Sequence, residues 1–84
     1  MPKFRKKPVE IEAWRNDGST MPEWVANACN GGDVVDGNGP LFIPTLEGVM
    51  EARPGDWIIM GVKGEVYPIK NEIFNETYEA VDAS

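Results

Sequence analysis

Pro54-Gly55-Asp56-Trp57-Ile58-Ile59-Met60-Gly61-Val62-Lys63-Gly64-Glu65-Val66-Tyr67-Pro68 is the stretch that decides the fold. It reads as turn, strand, turn, strand. Proline presets φ and glycine accepts φ > 0, so Pro54-Gly55 suits the centre of a type II turn. Asp56 is placed to accept N–H groups across that turn, which gives Pro54, Gly55 and Asp56 structural roles. Trp57-Ile58-Ile59-Met60 is the most apolar run in the chain and predicts a central strand. A reversal near Lys63-Gly64 returns the chain through Glu65-Val66-Tyr67-Pro68-Ile69, completing a β-hairpin.

Working outward, Val49-Met50-Glu51-Ala52-Arg53 and Leu41-Phe42-Ile43-Pro44-Thr45-Leu46 read as strands, reversed at Glu47-Gly48. Pro44 lacks an N–H and predicts an edge or a bulge there. Gly37-Asn38-Gly39 supplies a turn after a short strand at Asp33-Val34-Val35-Asp36. Near the N-terminus, Lys7-Pro8-Val9-Glu10-Ile11-Glu12-Ala13-Trp14 alternates with period two, predicting a half-buried strand with Val9, Ile11 and Ala13 inward.

Between these strands, Met21, Trp24, Val25, Ala28 and Cys29 form one apolar helical stripe, with Trp24 packed against a sheet. Thr20-Met21-Pro22-Glu23 fits a capping box, and Gly31-Gly32 ends the helix. After the hairpin, Asn71 is placed to cap one helical turn with Ile73 and Phe74 on its apolar side. Thr77-Tyr78-Glu79-Ala80-Val81 alternates as a closing strand. Closely spaced turns mean antiparallel pairing, so the class is α+β. The expected arrangement is a small curved antiparallel sheet or open barrel of five or six short strands, with one amphipathic helix and a short C-terminal helical turn.

Eighty-four residues set one expected domain, 1–84, with a basic arm over 1–6. A lone cysteine and no histidine leave neither a disulfide nor a zinc site to staple it, so packed apolar surface must supply the stability. Net charge is −6, unevenly placed. Lys3, Arg5, Lys6 and Lys7 are four of the eight cations, so the remaining residues carry four against fourteen acids, a net of −10. An acidic body repels phosphate backbones and disfavours nucleic-acid binding, leaving only the basic arm for it. No run nears the roughly 18 apolar residues of a membrane span, and no apolar segment follows the N-terminal charge as in a signal peptide. Both point to the cytoplasm.

Catalytic chemistry is hard to find in these residues. Without histidine there is no Ser-His or Cys-His pair, and Cys29 sits on the apolar stripe as a small hydrophobe. Gly61-Val62-Lys63-Gly64-Glu65 lacks the Gly-Lys-Ser/Thr run that cradles phosphate. Glu47, Asp56 and Glu65 flank turns, where acids are ordinarily solvated. Binding is the better prospect. Trp57 and Tyr67 on paired strands, with Lys63 and Lys70 as nearby cations, read first as core and second as a platform able to stack a base and hold a phosphate. Phe74 and Tyr78 fit the same aromatic group. Glu47 and Glu65 complete the candidate surface.

Several ordered blocks are together similar to a small bacteriophage and prophage family. These are Arg5-Lys6-Lys7-Pro8-Val9-Glu10-Ile11-Glu12-Ala13, Ile43-Pro44-Thr45-Leu46-Glu47-Gly48, Pro54-Gly55-Asp56-Trp57-Ile58-Ile59, Gly61-Val62-Lys63-Gly64-Glu65 and Tyr67-Pro68, with Phe74 followed by Thr77-Tyr78-Glu79. The helix and the loop over 30–40 carry no matching motif. The resemblance implies a phage-encoded, non-virion accessory protein of the bacterial cytoplasm, and it transfers no catalytic residue and no cofactor. In that family a cysteine often follows the Tyr-Pro pair; here Ile69 stands there. The expectation is a non-enzymatic protein that binds a host protein and can counter host defence or physiology. A small-molecule or nucleotide sequestering protein is the alternative. Short strand edges also suit a homo-oligomer.

Overall fold

The computed structural model describes residues 2–4 and 9–81. The arm residues Arg5, Lys6 and Lys7 and the strand start at Pro8 lie outside them. The elements run β1 (Glu12–Arg15), α1 (Glu23–Asn30), β2 (Val35–Asp36), β3 (Leu41–Thr45), β4 (Gly48–Ala52), β5 (Trp57–Met60), β6 (Val66–Ile69) and α2 (Asn71–Thr77). The class is α+β. In place of one continuous sheet, the strands form two antiparallel sheets of three, ordered β1-β5-β6 and β2-β3-β4. Neither closes into a barrel.

The apolar run of the hairpin is central in its sheet because both its faces are covered. Trp14, Ile58 and Pro68 are cross-strand partners on one face, and Ala13, Ile59 and Tyr67 on the other. The first face joins Trp14 and Ile58 to Val25 and Ala28 of α1 and to Leu41, Ile43 and Ala52 of the second sheet. On the second face Phe74 of α2 lies against Trp57, and Ile59 is fully buried. Each fully buried isoleucine contributes about 1.5–3 kcal/mol of apolar transfer. A strand buried on both sides does not alternate, and Trp57-Ile58-Ile59-Met60 does not.

Turn chemistry joins the sheets. Gly55 takes φ +98° behind Pro54, and the Asp56 N–H donates to the Arg53 carbonyl at 2.9 Å, closing the turn. The Arg53 N–H donates back to Asp56 Oδ2 at 3.1 Å. Asn16 is the buried fastener. Its Nδ2 donates to the carbonyls of Gly39 at 2.9 Å and Ala52 at 3.2 Å. Its backbone donates to the Asp56 carbonyl and accepts from the Gly55 N–H. One amide side chain thus ties the end of β1 to the Gly37-Asn38-Gly39 turn and to the end of β4.

Several expectations need correction. The first strand is half-buried at Ile11 and Ala13 with Glu10 and Glu12 exposed, as expected, but Val9 is exposed, and it is Trp14, on the opposite face from Ala13, that enters the core. Thr20 does not cap α1; Pro22 is the N-cap, with no side-chain cap bond. The residue before a proline is driven out of the helical region, so Met21 cannot open a helix and Thr20 lies too far upstream. The stripe itself packs as expected, with Val25 and Ala28 buried and Met21, Trp24 and Cys29 against the same core. Gly32 ends the helix at φ +85°.

Pro44 sits in a central strand, β3. The two-residue turn at Leu46-Glu47 makes Thr45 and Gly48 a closing pair, and alternation then turns residue 44 away from β4. On that side β2 has already ended, pairing only Leu41 and Phe42. Pro44 therefore costs no ladder bond. The expected closing strand over 77–81 is absent: Thr77 belongs to α2, and residues 78–81 pair with no strand. Lys70, and not Asn71, is the N-cap of α2, and Ile73 is exposed. The indole N–H of Trp14 is a buried side-chain donor without a partner, which costs about 1–3 kcal/mol.

Candidate binding groove

The aromatic residues converge through α2. Because β5 and β6 pair Trp57 with Ile69, the chain leaves β6 beside Trp57 and turns at once into the helix. Phe74 and Tyr78, four apart, then fall on one side of it. The Phe74 ring lies flat on Trp57 with centroids 3.8 Å apart and planes 11° apart, and Tyr78 continues the stack at 5.2 Å. Trp57 Nε1 donates to Asn71 Oδ1 at 2.9 Å. One face of the Trp57 indole is therefore already occupied by Phe74.

Beside this stack opens a groove of about 670 Å³, lined by residues 9–13, by Trp57, Phe74 and Tyr78, and by residues 79–81. Its walls are two chain segments: the approach to β1 with the start of that strand, and the chain leaving α2, where Tyr78 is extended at φ −122° and ψ 153°. The floor is apolar. Among the described residues the lining holds three carboxylates, Glu10, Glu12 and Glu79, and no cation. On the same face of the sheet, Tyr67 has its phenol pushed up to about 12, first by burial and then by a side-chain hydrogen bond with Tyr78 and by the charge of Glu65. The phenol remains neutral at ordinary pH and serves as a hydrogen-bonding group.

The sequence-derived candidates do not assemble as one site. Trp57 lines the groove, and Lys70 is exposed at the adjoining N-cap of α2. Lys63 is at the opposite end of the hairpin, in the turn beyond Met60, roughly 13 Å along a four-residue strand. Glu65 folds onto that turn, where its Oε1 accepts the Lys63 N–H at 3.4 Å. That N–H is one an incoming phosphate would need. Glu65 also borders a smaller cleft of about 210 Å³ with Asp33, Ile43 and Pro44. Glu47 is exposed at the β3–β4 turn in the other sheet. Pro54, Gly55 and Asp56 form the turn into β5, and Trp24 packs on the core.

Of the groove residues, sequence reading pointed to Trp57, Phe74 and Tyr78 for binding and did not single out the carboxylates Glu10, Glu12 and Glu79. The alternation that placed them on strands also held the signal for Glu10 and Glu12, as the outward residues of an edge strand. Glu79 was hidden by the expectation of a closing strand. Cys29 is half-buried on α1, and burial pushes its thiol up, the charge of Asp36 adding to this. No cluster of three metal-ligating side chains occurs among the described residues, and none of their helices is long and apolar enough to cross a membrane. A second apolar surface lies on the outer face of the second sheet, where Val35, Phe42, Pro44 and Val49 share one side and Val35 and Val49 are exposed. No family model, curated protein or solved structure matches the chain.

Proposed function

We propose that this is a phage-encoded accessory protein of the bacterial cytoplasm that acts by binding a host protein, without chemistry of its own. The observation that carries the reading is the groove beside Trp57, Phe74 and Tyr78, apolar in its floor and carboxylate at its rim. Such a surface suits a partner that brings apolar side chains flanked by positive charge, and the acidic body speeds its approach. The ordered sequence blocks shared with the phage family support the origin.

The test is capture from bacterial lysate by immobilised protein, with soluble protein as competitor. A saturable partner released by salt and lost with the double reversal Glu12→Lys, Glu79→Lys is the expected result. Capture indifferent to both changes, or no saturable partner at all, overturns the reading.

One observation favours a second reading. The groove volume falls within the range of small-molecule sites, about 300–1,000 Å³. Its carboxylates favour a cationic aromatic compound and oppose a nucleotide, whose phosphates they would repel. A rise in melting temperature with cationic aromatics, abolished by Trp57→Ala, supports this reading. No rise with any such compound removes it.

A further inference from the structure

Resting on that reading, we infer that the groove receives its partner as an extended segment added to the free edge of β1, with basic residues alternating with apolar ones. The geometry of the edge comes first. β1 pairs with β5 on one side only. The Asn16 N–H donates to the Asp56 carbonyl at 2.8 Å, so even-numbered residues of this strand turn their main-chain groups toward β5. Alternation then turns residues 11, 13 and 15 to the open side. The Arg15 carbonyl is taken by the Asp17 N–H at 2.9 Å. Among the described residues, Ile11 and Ala13 are left presenting two donors and two acceptors to the open side.

The groove lies where those groups point. A cavity over the face of a strand is lined by alternate residues, whereas this one is lined by five in succession, 9–13. An unbroken run means that the backbone edge itself borders the groove. Residues 79–81, which follow the extended Tyr78, also line the groove and pair with no strand among the described residues. A segment of about five residues, roughly 16 Å long, matches the length of the edge.

Side-chain chemistry sets the partner's composition. Alternate side chains of an added strand point to opposite faces. One set meets Trp57, Phe74 and Tyr78 and is apolar; the other passes Glu10 and Glu12 and is basic, with Glu79 a third carboxylate in the lining. Main-chain bonds supply affinity in this mode, and the side-chain pockets supply selectivity.

The experiment is calorimetric titration of the full-length protein with a synthetic peptide of alternating lysine and phenylalanine. Two control peptides accompany it, one N-methylated on the backbone amides that face β1 and one with glutamate replacing lysine. The alternating peptide should bind, weaken with salt, and lose at least tenfold in affinity on N-methylation. The glutamate peptide should not bind. In the protein, Ala13→Pro removes an outward N–H without touching the β1–β5 ladder, a position where edge proline is tolerated. It should weaken the peptide at least tenfold while leaving the circular dichroism unchanged. Equal binding of the N-methylated peptide overturns strand addition, whether or not the proline variant folds. So does failure of the alternating peptide to bind. The two proposals fail separately. A lysate partner that persists with Ala13→Pro overturns the docking mode alone, whereas peptide binding without any lysate partner overturns the host-protein reading alone.

Discussion

The indole N–H of Trp57 donates to Asn71 Oδ1 at 2.9 Å, fastening α2 to the central strand of the first sheet across fourteen positions of sequence. The bond and the Trp57–Phe74 stack hold the same helix. Asn71→Ala should cost about 1 kcal/mol, the usual net worth of one such bond. Trp57→Ala, which also removes the stack, should cost about 3 kcal/mol. Urea unfolding measures both from the midpoint at constant slope. Equal costs would mean that the stack contributes nothing beyond the hydrogen bond.

Asn16 carries a larger burden for its size. Asn16→Ala strips the buried carbonyl of Ala52 and the part-buried carbonyl of Gly39 of their donor, and the expected loss is about 1–3 kcal/mol. Asn16→Asp should be worse at neutral pH, because a carboxylate would face two carbonyl oxygens, and should recover partly as the acid is protonated. Denaturation at pH 4 and pH 7 compares them. A neutral alanine variant would show that the sheets are held by apolar packing alone.

The Tyr67 phenol gives a pH signature. Its value of about 12 in the folded protein lies above the ordinary 10.0. The folded state therefore holds the proton longer than the unfolded chain. The stability this contributes is complete below pH 10 and is lost as pH rises from about 10 to about 12. Tyr67 and Tyr78 are the two tyrosines of the chain, so in Tyr78→Phe the tyrosinate absorbance reports Tyr67 alone. Its midpoint should fall below 12 yet remain above 10, since burial is the first cause and the hydrogen bond the second. An unchanged midpoint would assign the whole shift to burial and to Glu65.

Gly37 is constrained by space. A Cβ there would meet the Phe42 ring and the Pro40 carbonyl oxygen. Gly37→Ala should destabilise by about 1–3 kcal/mol through displacement of that ring, while Phe42→Ala in the same chain should relieve part of the effect. Thermal unfolding of the single and double variants measures the coupling. Strict additivity would show that ring and methyl do not meet.

The central hairpin was legible because its signals are local. Pro54-Gly55, the apolar run and the Lys63-Gly64 reversal each act within four or five residues. The stripe on α1 was legible for the same reason. The division into two sheets was not, since it depends on β1 finding β5 some 45 positions away, a pairing that no neighbouring residue encodes. Asn16 carries no local signal of its role because its two side-chain acceptors are 23 and 36 positions distant. The C-terminal alternation pointed to a strand, yet Phe74 and Tyr78 gain more by stacking toward Trp57 than Thr77 does by its β preference. Of the candidate surface, Trp57 was found from its residue type. The carboxylate rim needed the fold to bring residues 10, 12 and 79 together.

The order of the strands also sets an order in time. The second sheet is made from one continuous stretch, residues 35–52, with short turns, whereas the first waits for residues 57–60 to reach 12–15. On a ribosome the second sheet can close while the hairpin is still being made, and β1 stays unpaired until then. Pulsed hydrogen exchange during refolding should find amides of β3 and β4 protected before those of β1. The strand at the end of its sheet is thus also the one exposed longest, and Glu12 within it and Glu10 just before it guard it against pairing with other chains before its own partner is made.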